Sequence, residues 1–326
     1  MIVYPESDER WHEPAGDPWW QESLYLAWYD RERGVGGLHR CGHEPNQESG
    51  ILNLWSALMT DEGTRFRRSE SRLPLAGTDR QGDGFGAGSL MRWEVTDGGL
   101  QFSARDEGAQ VDLTVTNFYP PVGFYAQEGT LHRDFAAHHY ESSGRVVGSV
   151  ELDGVRYAID GLCHRDHSWG VRKWDTVLSH RWVSGTYGPQ LSVSTTLWHG
   201  VDGSLTRAGC VVRDGEITLA DAIDVVTYQE TDGLTHRGGD VWLGLHGDTL
   251  HLRGTPIDGV VNEHRGVACF DTICQTEHDG APGFLDIEST NNAQNGKEPV
   301  KLALAGNLVD GISRRPERDA FVPAGV

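Results

Sequence analysis

The sequence has no long apolar run and few cysteines. No stretch of about 18 consecutive apolar residues occurs in its 326 residues, so it predicts no membrane-spanning helix. Residues 1–6 have neither a basic region nor an apolar core, so we predict no secretory signal peptide and a cytoplasmic location. The five cysteines form no CxxC pair, which disfavours a disulfide framework and a structural zinc site.

Positive charge is also scarce. The chain has 28 Lys and Arg against 48 Asp and Glu, which gives a formal net charge of −20. Such a charge repels nucleic-acid phosphates and anionic lipid surfaces, so we expect neither as a partner. Eleven Trp with nine Tyr and nine Phe supply apolar area for a core or a ligand cavity. The sequence leaves a homodimer open.

Helical periodicity is nearly absent, and alternation of apolar and polar residues takes its place. Residues 111–116, 190–194 and 249–252 alternate in this way, which is typical of half-buried strands. The best helix candidates are short, at 18–26 and 53–58. Frequent Gly and Pro divide the chain into short pieces. We therefore predict an all-β barrel or sandwich, with two β-units at this length.

Three Asp-Gly pairs predict tight hairpin turns between strands. They are Asp97-Gly98, Asp153-Gly154 and Asp214-Gly215. The glycine-rich residues 82–88 lack the strand and helix that surround a dinucleotide-binding loop, so we predict a flexible loop, or a lid, at that position.

Residues 161–172 (GLCHRDHSWGVR) carry the densest chemistry of the chain. Alternate side chains of a strand project from opposite faces. One face then carries His164, Asp166 and Ser168, and the other carries Arg165, His167 and Trp169. We therefore place the candidate active site around this segment.

A His-x-Asp pair on a cavity face can perform acid–base chemistry. Burial raises the pKa of an Asp, and the imidazole of His164 can orient the Asp166 acid. A protonated Asp166 in an aromatic pocket could give a proton to an alkene or to a leaving hydroxyl. The faces of Trp169, Trp174 and Trp182, close by in the sequence, could stabilise the resulting cation.

Two other interpretations of the same residues remain open. Arg–Asp–His clusters also tie strand ends together through buried hydrogen bonds, a scaffold role that suits Arg165. A metal site is the second, with ligands drawn from His164, Asp166 and His167 and from His138, His139 or His180. Its ligand spacing is weak, so we predict no metal.

Two further positions qualify as site candidates. Of the adjacent His138 and His139, at most one can point into a cavity, since neighbouring strand residues face opposite ways. Glu288 places a carboxylate on an otherwise apolar strand face, where it would be a second acid or a salt-bridge partner.

Residues 139–172 and 5–23 resemble the carotenoid hydratase (hydroxyneurosporene synthase) and AttH-like superfamily, and within it bacterial tandem proteins of unknown function. The resemblance rests on HYE at 139–141, GRV at 144–146, and HRDHSWGVR at 164–172, with PESDE at 5–9 and WWQES at 19–23. It implies two lipocalin-like (calycin) antiparallel β-barrels packed together, the first over residues 1–175 with the signature at its end and the second over 176–326.

The resemblance also implies a function. Characterised members add water to an isolated alkene of a prenyl chain by acid catalysis without a cofactor, and related folds serve as cyclases in polyketide pathways. We therefore expect a cofactor-independent hydratase, dehydratase or cyclase acting on a hydrophobic, isoprenoid-like small molecule. The alternatives are an isomerase or pericyclase-type cyclase of a polyketide or terpenoid pathway, and a non-enzymatic lipid or pigment carrier.

The resemblance gives roles to individual residues. Asp166 would be the acid, His164 its orienting partner, and His139 a residue that positions water. The expected substrate-binding residues are Tyr140, Arg165, His167, Trp169, Trp174, Trp182 and Glu288.

Overall fold

The computed structural model describes residues 2–123, 138–229, 236–265 and 267–291. Thirteen strands of this part of the chain form the first sheet: β1 Ile2–Val3, β2 Trp20–Asp30, β3 Val35–Glu44, β4 Ile51–Thr60, β5 Gly63–Pro74, β6 Arg80–Gln81, β7 Gly84–Ala87, β8 Met91–Thr96, β9 Gly99–Asp106, β10 Ala109–Asn117, β11 Val122–Gly123, β12 His138–Leu152 and β13 Val155–Val171.

Nine strands form the second sheet: β14 Val177–Thr186, β15 Leu191–Gly200, β16 Leu205–Arg213, β17 Glu216–Leu219, β18 Ala222–Gln229, β19 His236–Leu245, β20 Asp248–His264, β21 Val267–His278 and β22 Ala281–Asn291. Three short 3-10 helices complete the described elements, at Glu6–Glu9, Gly77–Asp79 and Trp174–Thr176.

Both sheets are antiparallel and curl on themselves. The first runs β5-β4-β3-β2-β13-β12-β10-β9-β8-β7-β6, with β11 along β12 and β1 along β11. The second runs β17-β16-β15-β14-β22-β21-β20-β19-β18. The predicted all-β fold of two packed lipocalin-like barrels is confirmed.

The Asp-Gly hairpins form where the sequence predicts them. They join β8 to β9, β12 to β13 and β16 to β17. At the second of these turns, Asp153 and Gly154 have φ angles of 53° and 77°. Positive φ at both central residues is the requirement of a type I′ turn, whose twist matches the flanking strands.

The two predicted helices are wrong. Residues 18–26 lie largely in β2, and residues 53–58 lie in β4. Every residue of β2 is buried, because one face covers the core of the first barrel and the other meets the second barrel. A strand covered on both faces has no alternation of polarity to distinguish it from a short buried helix.

The glycine-rich segment is a buried strand rather than a lid. In β7, Phe85 stacks on His43 with ring centroids 3.8 Å apart. A Cβ added to Gly86 would lie 2.2 Å from the carbonyl oxygen of Met91, so glycine is needed for the close approach of β7 to β8.

Three apolar clusters define where the barrels meet. One fills the first barrel and a second fills the other. A third lies between the two sheets, and it joins Tyr25, Ala27 and Tyr29 of β2 to Ile273 and Phe284 of the second sheet. The barrels therefore pack face to face through β2, β21 and β22.

The first sheet ends at Val171 and the second begins at Val177. The predicted division after residue 175 falls in this connection, and residues 292–326 of the second predicted domain lie outside the described residues. All five cysteines are buried free thiols. Within the described ranges, no helix is long and apolar enough to cross a membrane.

Candidate functional site

A row of polar and aromatic residues crosses the first sheet on the face that meets the second barrel. The strand register pairs Trp55 with Arg40, Arg40 with Tyr25, Tyr25 with Asp166, and Asp166 with Glu141. Directly paired residues project from the same face, so these five side chains are neighbours. The row is unusual for a barrel–barrel contact because four of its members carry ionisable groups.

The second sheet contributes its own polar residues opposite this row. His180, Trp182 and Ser184 alternate along β14, and Asp286 and Glu288 alternate along the adjacent β22. Except for Glu141, the residues of the two sets line a cavity of about 40 Å³, which has room for a few water molecules. Asp166 and Glu288 are its more exposed carboxylates, with about a fifth of each side chain reaching solvent, so they mark the mouth.

Asp286 is an acid held in its protonated form. Its side chain is buried, and Tyr25 donates a 2.7 Å hydrogen bond to its Oδ2 atom. Burial, reinforced by nearby carboxylates that include Glu288, raises the pKa of Asp286 to about 8, although the Tyr25 hydrogen bond opposes the shift. Its Oδ1 atom has no hydrogen-bond partner among the described residues, so the proton is available to a ligand.

Asp166 has the opposite character, which corrects its expected protonated state. Burial alone would raise its pKa, but His139, with help from Arg172 and Arg40, outweighs burial and holds the pKa below its ordinary value. The His139 Nε2 atom lies 3.7 Å from Asp166 Oδ2. Asp166 is therefore a carboxylate at neutral pH, suited to accept a proton. Its catalytic role stays a prediction.

His164 is paired with Glu141 instead of orienting Asp166. Its Nε2 atom is hydrogen bonded to Glu141, and its Nδ1 atom lies 2.9 Å from Ser143 Oγ. Burial lowers the pKa of His164 to about 3 and raises that of Glu141 well above its ordinary value. The pair is therefore neutral, with the proton on Glu141, and the residue beside Asp166 is His139.

Three other predicted residues lie at the cavity. Trp182 stacks on His139 with ring centroids 5.0 Å apart, and the guanidinium of Arg172 lies 4.5 Å from the ring of Trp174. Glu288 accepts a 2.7 Å hydrogen bond from Thr290 and lies 3.5 Å from His180.

Four predicted substrate-binding residues are placed elsewhere, because their strand positions project into the first barrel. Tyr140 and Arg165 both bond Glu9, His167 lies 3.0 Å from Glu22, and Trp169 stacks on His12 at 3.9 Å. These four residues do not line the cavity between the barrels, and their role in substrate binding stays a prediction. Arg165 instead lines a separate cavity of about 490 Å³.

The structure also changes which residues could hold a metal ion. His164 and Asp166 face the cavity and His167 faces the first barrel, so these three cannot hold one ion. Two other groups bring donor atoms within 4.8 Å of one another. They are His139, Glu141 and Asp166 at the cavity, and His12, Glu22 and His167 in the first barrel.

Sequence reasoning missed Arg40, Tyr25, Trp55 and Asp286. The signal for Asp286 was present, because it lies two residues before Glu288 and alternation places both on one face. Arg40 lies in a strand that is buried throughout, where a charged residue requires a partner or a function.

Three solved structures share the fold. A putative AttH from Nitrosomonas europaea aligns with a TM-score of 0.67 and 14% identity, covering 90% of this chain and 97% of that one. Kievitone hydratase from Nectria haematococca gives 0.60 and 12%, covering 90% and 94%. CghA gives 0.58 and 12%, covering 86% and 90%. At these identities the likeness shows the fold alone, which is that of two packed lipocalin-like barrels.

No curated protein matches the sequence. One family model matches residues 5–293, which include both sheets almost completely. The chain therefore belongs to the family described as a domain of unknown function, DUF7064.

Proposed function

We propose that the protein is a cofactor-independent hydratase, dehydratase or cyclase that works by acid catalysis in the cavity between its barrels, on an isoprenoid-like substrate. One observation carries the proposal: Asp286 and Asp166 line the same cavity with opposite protonation states at neutral pH. Two carboxyl groups whose surroundings separate their pKa values form an acid–base pair.

In hydration, Asp286 gives its proton to one carbon of an alkene, and a carbocation develops at the other. Water attacks that carbon, and Asp166 accepts the proton that the water loses, directly or through His139. The proton then returns from Asp166 to Asp286 through solvent, so the net change is the addition of one water molecule, and dehydration reverses each step. In cyclisation, a second double bond takes the place of water, and a proton is lost to Asp166 in the final step. General acid–base catalysis of this kind contributes typically about 10²–10⁴-fold in rate.

The developing cation would be stabilised chiefly by the carboxylate of Asp166. The aromatic faces contribute less than the sequence suggests, because a guanidinium already covers Trp174 and an imidazole covers Trp182. A fixed negative charge in a water-poor site stabilises a cation more strongly than a ring quadrupole does. The structural neighbour kievitone hydratase carries a name that agrees with this reaction class.

A metal-dependent hydro-lyase is the second candidate, favoured by the grouping of His139, Glu141 and Asp166 within 4.8 Å. An imidazole and two carboxylates suit a divalent ion that polarises a bound water. This candidate requires Glu141 to lose its proton, whereas its burial favours the protonated form. Metal analysis of the purified protein, with activity measured before and after chelation, separates the two candidates.

The test of the acid mechanism begins without a substrate. Infrared spectroscopy at neutral pH should show the C=O stretch of a protonated carboxyl that Asp286→Asn removes. The control Asp160→Asn, at an exposed carboxylate paired with Arg145, should leave that band unchanged. Prenyl alkenes and their tertiary alcohols are then screened by mass spectrometry for gain or loss of one water. Full turnover by Asp286→Asn would overturn the mechanism.

A further inference from the structure

Arg40 is a buried cation whose two terminal nitrogens lack a hydrogen-bond partner among the described residues. Only 5% of the residue is exposed, and among the described residues neither of its terminal nitrogens, Nη1 and Nη2, is hydrogen bonded. A buried guanidinium in this state is costly, and buried polar groups in native structures are usually hydrogen bonded to protein, ordered water or a ligand. Arg40 lines the cavity that contains Asp286, so a bound molecule can reach it.

Trp55 contacts the guanidinium of Arg40, and Gly42 leaves room for it. The Arg40 guanidinium carbon lies 4.5 Å from the centre of the Trp55 ring, and the Trp55 Nε1 atom is another buried donor without a partner in the described part of the chain. A Cβ on Gly42 would lie 2.9 Å from Nη1 and 3.1 Å from Nη2 of Arg40, so glycine provides the space that the guanidinium occupies.

From this geometry we propose that the substrate carries a carboxylate, which Arg40 binds through both terminal nitrogens. The two parallel N–H groups of a guanidinium match the two oxygens of a carboxylate, and the Trp55 N–H supplies a further donor. The inference rests on the proposed function for its site. It refines the substrate class from an isoprenoid-like hydrocarbon to a hydrophobic acid.

The charge of the cavity favours a monoanion over a phosphate. Arg40 and Arg172 supply two positive charges at its wall, and Asp166 already supplies one negative charge. Asp166 and Glu288 line the same cavity, so a carboxylate with one negative charge meets less repulsion from them than a doubly charged phosphate would.

The experiment compares fluoroacetate with its neutral amide, fluoroacetamide, by fluorine NMR titration of the full chain. We expect saturable fluoroacetate binding in the millimolar range, with fluoroacetamide at least tenfold weaker. Arg40→Gln should weaken fluoroacetate binding roughly 10- to 100-fold, because it removes a charge-assisted bidentate contact. Gly42→Ala should weaken binding without unfolding the protein, since the flexible end of Arg40 can move away. Arg156→Gln removes an exposed arginine from the far end of β13 and should change nothing.

Three outcomes would overturn the proposal: no fluoroacetate binding to the wild type, equal binding of acid and amide, or equal binding by Arg40→Gln. Circular dichroism confirms that each variant is folded before its binding is interpreted. The binding assay needs no turnover, so it is independent of the acid mechanism. If turnover depends on Asp286 but fluoroacetate binding does not depend on Arg40, only the proposal of a carboxylate is refuted. If binding depends on Arg40 but turnover does not depend on Asp286, only the acid mechanism is refuted.

Discussion

Tyr25, in the first barrel, donates its hydroxyl hydrogen to Asp286, in the second, across 2.7 Å. The bond fixes Oδ2 of the acid and leaves Oδ1 without a partner in the described residues. Both residues are buried because the sheets pack face to face. The raised pKa of Asp286 is therefore a product of the interface, and neither barrel would generate it alone.

Replacing Asp286 with Asn should reduce turnover by about 10²–10⁴-fold, because the amide has nearly the same shape but no acidic proton. Folding should be retained, since the isostere still accepts the Tyr25 hydrogen bond. Steady-state kinetics on any substrate found in the screen measures the effect. Asp160→Asn is the matched control at the surface, and equal losses in both variants would contradict the assignment.

The stability of the protein should depend on pH through Asp286. The pKa is about 8 in the folded state and about 3.9 in an unfolded chain. The folded protein therefore holds the proton more tightly, and this contribution is complete below about pH 4 and is lost as the pH rises to about 8. The slope attributable to one group is at most about 1.4 kcal/mol per pH unit. Urea unfolding of the wild type should show a steeper decline over this window than Asp286→Asn, and parallel declines would contradict the raised pKa.

Tyr25→Phe should shift the titration of Asp286 to higher pH. The tyrosine hydroxyl stabilises the carboxylate form, so its removal leaves burial less opposed. The alkaline limb of the pH–rate profile, and the pH at which the infrared band of the protonated carboxyl disappears, should rise together. A shift to lower pH would show that Tyr25 acts on the acid in some other way.

Glu22 is a structural carboxylate, on the face of the sheet opposite the cavity. It accepts hydrogen bonds from the ring of His12 at 2.8 Å, from His167 at 3.0 Å and from Arg80 at 2.6 Å. Although burial opposes ionisation, these donors lower its pKa to about 2. This contribution to stability is present above the unfolded pKa of about 4.3 and is lost as the pH falls toward 2.

Glu22→Gln should therefore destabilise the protein by about 3–5 kcal/mol at neutral pH, because it leaves Arg80 buried without its carboxylate. Chemical denaturation measures the loss. At saturating substrate, turnover by the folded fraction should be unchanged, since the residue does not line the cavity. A catalytic defect with unchanged stability would contradict this structural role.

The sequence predicted which side chains share a strand face better than it predicted their contacts across the interface. Alternation along β13 correctly separates His164 and Asp166 from Arg165 and His167, because a strand has a fixed two-residue period. Periodicity along one strand, however, does not predict which residues of the second barrel face that strand. Tyr25 and Asp286 are 261 positions apart, and their contact depends on how two curled sheets pack.

The helix errors have the same origin. β2 and β4 are buried on both faces only because a second barrel covers the outer face of the first. That covering removes the polar alternation on which strand prediction depends. It also explains why the sequence points to the aromatics nearest Asp166 along the chain, while Trp55 and Arg40 reach the cavity from neighbouring strands.

A buried cation kept for binding should cost stability in the free protein. Arg40→Met retains much of the side-chain volume and removes a charge that has no hydrogen-bond partner among the described residues. Removing this charge relieves the cost of keeping an uncompensated guanidinium out of water. Arg40→Met should therefore be at least as stable as the wild type in urea, while it loses fluoroacetate binding.

This combination separates a ligand-binding arginine from a structural one. A structural Arg40, held by its contact with Trp55 and its attraction to Asp166, would lose stability when replaced, and its binding defect would follow from partial unfolding. Arg80 provides the internal comparison, because its guanidinium is also largely buried but already pairs with Glu22. Arg80→Met should be destabilising by roughly 3–5 kcal/mol. Equal destabilisation of Arg40→Met and Arg80→Met would show that both arginines serve the fold.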